Sequence, residues 1–143
     1  MTQSICTVAR QWLGTPFHRH GRSKQIGCDC LGLIIGVAAE LDLKTRYGQP
    51  LVDLDRNNYH LIHDGTILLQ ELNNHLTACQ QPGIGQLALL SFDNNPQHLA
   101  IIVDYPHAGE LAIIHAHMSA RKVVEHRLDL ELRKTLISTY EFG

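Results

Sequence analysis

The chain is poor in charge and has no long hydrophobic run. Only 18% of its 143 residues are Asp, Glu, Lys or Arg, and twelve basic residues against fourteen acidic ones leave a formal net charge of −2. Such a balance gives no electrostatic reason to expect a nucleic-acid partner. Every apolar run meets a polar residue well short of the roughly 20 residues that a membrane-crossing helix needs, so no membrane insertion is expected. Met1 to Leu13 carries neither a basic leader nor a continuous apolar stretch with a small-residue cleavage site. The expectation is a chain synthesised in the cytoplasm without a signal peptide, whose cysteines Cys6, Cys28, Cys30 and Cys79 stay reduced. Internal repeats and low-complexity segments are also missing. What is present is 44% hydrophobic residues, enough for one compact core, and residues 1–143 read as a single domain.

Apolar spacing predicts the elements. Ile5, Val8, Trp12 and Leu13 recur at helical steps over Ser4 to Leu13, and Gly14-Thr15-Pro16 stops that helix. Phe17 to Gly27 is polar, basic and bounded by glycine, as an exposed loop would be. A second helix is expected from Asp29 to Leu41, with Cys30, Leu33, Ile34, Val37 and Leu41 on one face and Asp29 as its N-cap. Lys44 to His60 has no clear period and reads as a connection. A third helix, with Ile67, Leu68, Leu72 and Leu76 on its apolar side, is expected from Asp64 to Cys79, closed by Gln81-Pro82-Gly83. From Gly85 onward come short β-rich runs: Gln86–Phe92, Leu99–Tyr105, Glu110–His117, Lys122–Leu128 and Leu136–Phe142. Turn signals at Asn94-Asn95-Pro96, Pro106 to Gly109 and Ser119-Ala120 separate them. Helices followed by a meander of strands predict an α+β fold, an antiparallel sheet packed on the helices.

Ten histidines and four cysteines supply the candidate chemistry. Cys30 falls in the first turn of the second helix, where unpaired N–H groups and the macrodipole favour negative charge, and such a thiol pKa can fall from ~8.5 to roughly 3.5–7.5. By itself this is weak, because most free cysteines are inert packing. His98 opens an apolar strand after a turn and His115 ends another. A thiol, an imidazole that takes its proton and a second group that holds the imidazole form the order of a catalytic triad. Any one of these histidines taken singly reads better as a rim residue bonded to backbone or water. His60, His63, His75, His107 and His126 read as surface residues, Cys6 as exposed or partly buried on the first helix, and Cys79 as the end of the third.

These residues, in this order, resemble the NlpC-type cell-wall cysteine peptidases, a papain-like superfamily. The similarity lies in Trp12-Leu13-Gly14-Thr15-Pro16-Phe17, Asp29-Cys30-Leu31-Gly32-Leu33, Gly85-Gln86-Leu87-Ala88-Leu89, His98-Leu99-Ala100-Ile101 and Ile114-His115-Ala116. The resemblance implies a papain-like domain with Cys30 as nucleophile, His98 as base and His115 as orienting residue, no cofactor, and hydrolysis of the peptide bonds of peptidoglycan. Gly27 to Leu33 and Arg121 to Leu128 look closest to the branch encoded with phage tails and gene-transfer agents, which implies delivery with a tail and other tail proteins as partners. Two positions depart from the family pattern. Phe17 stands where a tyrosine hydroxyl near the oxyanion is usual, so oxyanion stabilisation falls to backbone N–H groups, and Leu31 stands where serine is usual. Phe17 is counted with Arg19 and Arg22 as substrate-binding, the two arginines facing the carboxylates of acidic stem peptides.

Three other readings compete, one of them a different acyl transfer on the same architecture, such as amide hydrolysis or transfer on a lipid or small molecule, which the triad does not distinguish. Cys28, Cys30, His115 and His117 are four ligands of the kind zinc accepts, although a Cys-x-Cys pair at a helix start is not the usual knuckle spacing. A tail-tip assembly protein that keeps the fold without cleaving is the third, since fold does not guarantee activity.

Overall fold

The computed structural model describes residues 2–55, 65–92, 95–105 and 109–143. In chain order these form α1 (Thr2–Gln11), β1 (Arg22–Ser23), β2 (Gly27–Cys28), α2 (Cys30–Leu41), a 3-10 turn (Leu51–Asp55), α3 (Gly65–His75), β3 (Thr77–Cys79), β4 (Leu87–Phe92), β5 (Asn95–Asp104), β6 (Leu111–His117), β7 (Lys122–Arg127), α4 (Leu130–Thr135) and β8 (Leu136–Glu141). Strands β3 to β8 make one antiparallel sheet in the order β3-β8-β4-β5-β6-β7, while β1 and β2 pair as a small separate hairpin. This is the α+β arrangement expected from the order of the elements.

The period-2 geometry of strands divides the sheet residues between two cores. Leu87, Leu89, Leu99, Ile101, Val103, Ala112, Ile114 and Tyr140 face the helices and bury Ile5, Val8 and Trp12 of the first helical segment together with most of α2. Ala88, Leu90, Ala100, Ile102 and Ile113 face the other way and are covered by Leu128 with Leu132 and Leu136. Because β4, β5 and β6 are buried on both faces, they read in sequence as near-continuous apolar runs rather than as alternating ones. Helix α2 is likewise enclosed on nearly every side, Leu31 and Ile35 as well as Leu33, Ile34 and Val37 being buried, because α1, the 3-10 turn and the sheet all pack on it. At Gly36 a Cβ would run into the ring of Trp12, which follows α1.

Three expectations are corrected. The third helix ends at His75, and Thr77–Cys79 instead forms the edge strand β3, pairing Thr77 with Glu141 and Cys79 with Thr139; cross-strand bonds to β8 replace the last helical turn. Asn95 and Pro96 lie in β5 rather than in a turn, opposite Phe92 and Ser91, where the register shifts between Leu90 and Ser91, a bulge of the kind that tolerates proline in a strand. Cys6 is buried at 1% exposure, on the face of α1 turned to the core. The short α4, capped by Asp129 accepting from Leu132 N–H at 2.9 Å, has too few residues to show a period. Asp64, His60, His63 and His107 lie outside the described residues.

Candidate active site

Cys30 is placed by its predecessor. Asp29, with extended φ and ψ, caps α2 by accepting from Gly32 N–H at 2.7 Å, the role its carboxylate suits before an apolar helix. Its other oxygen accepts the backbone N–H of His20 at 2.8 Å, and Arg22 Nη1 reaches Oδ1 at 3.0 Å. The carboxylate is buried, and these three donors satisfy it. Arg22 also forks onto Asp55 at 3.0 and 2.9 Å, tying the 3-10 turn to the helix start. The basic segment Phe17–Gly27 is therefore no simple exposed loop: it folds into the β1–β2 hairpin, whose Gly21 carbonyl lies where a Cβ on Gly32 would be. The guanidinium of Arg22, a residue expected to bind substrate, is engaged with two carboxylates. Lys24 pairs with Glu40 at 2.9 Å. Arg19 stays exposed, and Phe17 is half-buried against the core, its N–H donating to Arg121 carbonyl at 2.8 Å.

The sulfur of Cys30 meets the sheet at a gap in the ladder. Ile102 N–H donates to Gln86 carbonyl, so on β5 the even residues turn their polar groups to the β4 side and the odd ones, Leu99 included, to the β6 side. Yet β5 and β6 pair only over Ile101–Asp104 with Leu111–Ile114. Before Ile101 the Leu99 N–H is given to Cys30 instead. Thus the thiol sits against the main chain of the residue following His98. Burial pushes the Cys30 thiol up to about 11, against the lowering by backbone hydrogen bonds from Leu99 and Leu31. The expected depressed thiol is thereby corrected: in a site this dry, desolvation of the thiolate outweighs the helix start. Cys28, fully buried in β2, is pushed up to about 12 by burial and then by Asp29.

His98 and His115 come together as the triad order requires. His98 Nε2 and His115 Nδ1 are 2.7 Å apart, with the rings edge to face. His115 is fully buried in the middle of β6, not at a strand end. Sequence reasoning missed a further residue. His126 of β7, read as an ordinary surface residue, places Nδ1 3.0 Å from His115 Nε2. His117 stands beside both rings, 5.0 Å from His115 and 5.7 Å from His126 between centroids. The signal that locates His126 is the hairpin itself: Met118–Arg121 makes the β6–β7 turn, pairing His117 with Lys122 and so Ile113 with His126, on the face that carries His115. Burial pushes the His98 imidazole down to about 4 and, with the neighbouring histidines adding to it, the His115 imidazole down to about 2.

The two histidine shifts predict an acid-labile fold. Unfolded histidine titrates near ~6.5, and both folded values lie below it, so the unfolded chain binds protons that the native one does not. Their contribution is fully present above about pH 6.5 and is lost as pH falls toward 4 and then 2. Each group adds a slope of up to about 1.4 kcal/mol per pH unit in that window. Urea midpoints measured between pH 7 and 4.5 should fall steeply in the wild type and more gently in His115→Gln; parallel slopes would refute the assignment.

A small apolar cavity of about 60 Å³ flanks the site, lined by Leu31 and Leu99, the residues after Cys30 and His98, and by Ile34, Leu72 and Leu76. The thiol and the imidazoles are not in its lining. Among the described residues no group of three or more His, Cys, Asp or Glu side chains is placed to hold a metal ion, so the zinc reading of Cys28, Cys30, His115 and His117 finds no geometry to support it.

A helix that starts on a thiol, packed on an antiparallel sheet that carries paired imidazoles, defines a class of papain-like α+β domains. Within that class the chain has the NlpC/P60 fold. It superposes on a Staphylococcus aureus protein described as similar to lipoprotein, NLP/P60 family, with TM-score 0.63 and 16% identity over 98% of this chain but 40% of that one. On the NlpC/P60 domain of the peptidoglycan hydrolase SagA the score is 0.60 at 16% identity, covering 99% and 98% of the two chains. On an N-acetylmuramoyl-L-alanine amidase from Bacteroides uniformis it is 0.58 at 12%, covering 99% and 98%. No family model and no curated protein matches the sequence.

Proposed function

We propose that this chain is a cysteine hydrolase of bacterial peptidoglycan, an endopeptidase acting through a Cys30-His98-His115 triad. The observation that carries the reading is the 2.7 Å contact between His98 Nε2 and His115 Nδ1, together with the backbone hydrogen bond to the Cys30 thiol from Leu99, the residue that follows His98. With Nε2 engaged, Nδ1 is the nitrogen of His98 that can take the thiol proton. Both groups are shifted toward their neutral forms, so the proton moves as the sulfur attacks rather than resting in a preformed ion pair. Sγ bonds to the scissile carbonyl carbon, backbone N–H groups at the start of α2 stabilise the oxyanion in place of the missing tyrosine hydroxyl, and His98 returns the proton to the leaving amine. Water then hydrolyses the thioester. The peptidoglycan substrate is supported by the SagA and amidase neighbours, and delivery with a phage tail by the resemblance of Gly27–Leu33 and Arg121–Leu128 to that branch.

Digestion of defined muropeptides by the wild-type chain under reducing conditions, with products weighed, tests this. Crosslinked dimers resolved into shortened peptides support the endopeptidase. Stem peptides freed whole from the sugar would replace it with an amidase, and no product at all would favour a non-catalytic tail-tip protein.

A further inference from the structure

Three imidazoles stand in line, partly buried His98 on β5, fully buried His115 on β6 and exposed His126 on the edge strand β7, joined at 2.7 and 3.0 Å. Each of the two N···N contacts needs one proton, and neutral His115 has only one to give. It therefore donates in one contact and accepts in the other, which leaves two self-consistent neutral arrangements. In the first, His98 donates from Nε2 to His115 Nδ1, and His115 donates from Nε2 to His126 Nδ1. The proton of His98 is then on Nε2, and Nδ1 is the basic nitrogen. In the second, His126 donates from Nδ1 to His115 Nε2, and His115 donates from Nδ1 to His98 Nε2. The proton of His98 is then on Nδ1, where the thiol proton has to go.

Only the first arrangement makes His98 a base toward Cys30. We propose that His126 sets the tautomer of the catalytic base: neutral, it accepts from His115 and leaves His98 Nδ1 unprotonated; protonated, it donates to His115 and reverses both bonds, switching the base off. His126 is thus a positioning residue acting through His115, and the proposal rests on the reading of Cys30 and His98 as nucleophile and base. The reversal balances without any other reactant. One proton is added at His126 Nδ1, one shifts from His115 Nε2 to Nδ1, and one moves from His98 Nε2 to Nδ1 through the tautomeric exchange of each ring. The exposed ring is the member of the chain that can hold charge in water, whereas burial disfavours charge on the other two. Among the described residues, the groups facing His126 from the neighbouring strand are His115 and His117. On its own strand, Glu125 pairs with Arg10 and Arg127 with Glu110.

The test uses the full chain with His126→Asn, whose Oδ1 can accept from His115 but takes no proton, and His126→Leu, which cannot accept. Two readouts are followed: long-range 15N–1H spectra of the histidine side chains, and the rate at which iodoacetamide alkylates Cys30, followed through the mass of its peptide. In the wild type at neutral pH the proton of His98 is expected on Nε2, and acidification should shift it to Nδ1 while the alkylation rate falls. His126→Asn should keep the neutral-pH rate within about threefold and hold the Nε2 proton to lower pH, whereas His126→Leu should be about tenfold slower at neutral pH with mixed tautomers. The proposal is overturned if His98 carries its proton on Nδ1 in the neutral wild type, or if both variants keep the wild-type acid limb. Neither readout needs peptidoglycan, so failure of the cell-wall reading would appear separately as inert muropeptides.

Discussion

Replacing Cys30 by alanine should lower kcat on muropeptides by about 10⁶, and His98→Ala should lower it by a comparable factor. The sizes are tied together, because the thiol is held neutral by burial at a pKa of about 11: at pH 7 about one thiol in 10⁴ would ionise unaided. A nucleophile so rarely ionised depends on a base acting during attack, so the sulfur without its imidazole does little more than no sulfur. The double variant should be no worse than Cys30→Ala alone, the mark of two residues working as one unit. Measuring kcat for the two singles and the double decides it. Multiplied losses would mean that Cys30 and His98 act in separate steps, and a Cys30→Ala variant with wild-type turnover would remove the cysteine mechanism.

What could be read before the fold was known follows physical lines. Helix α2 and its Asp29 cap were legible because a capping carboxylate followed by apolar residues at steps of three and four is a local signal. Strands β4 to β6 were legible because strands buried on two faces carry unbroken apolar runs. Strand β3 was not: its partner β8 lies about sixty residues away, and three residues that follow a helix carry no period of their own. Cys30, His98 and His115 could be singled out by type and order, but their environment could not. The thiol was expected to be acidic because a helix start is visible in sequence and burial is not, and here burial decides the direction. His115 reads as a rim residue because a single strand shows nothing of what covers it, whereas in the fold it is fully buried in β6. Arg22 was assigned to substrate because a basic residue in a polar segment shows nothing of its acid partners, one seven residues on and the other thirty-three.

The pairing of Arg22 with these carboxylates leads to the largest stability effect. Arg22→Met should destabilise the fold by about 3 kcal/mol, the scale seen when one member of a buried ion pair is removed, read as a fall in the urea midpoint at pH 7. Asp29 would keep the N–H groups of Gly32 and His20 but lose its counter-charge while remaining buried. Asp29→Asn should cost less, about 1 kcal/mol, because the amide oxygen still caps α2 and the half-buried Arg22 retains Asp55. Combining the two removes the uncompensated charge, so the double variant should be more stable than Arg22→Met alone, a sign reversal that additive losses cannot produce. Since Asp29 immediately precedes Cys30, the same series should slow Cys30 alkylation in the order of lost stability. A contribution of Arg22 to substrate binding predicts something different: an unchanged urea midpoint with a raised KM for stem peptides. The fork onto two carboxylates, one of them buried at the start of α2, puts the effect on folding.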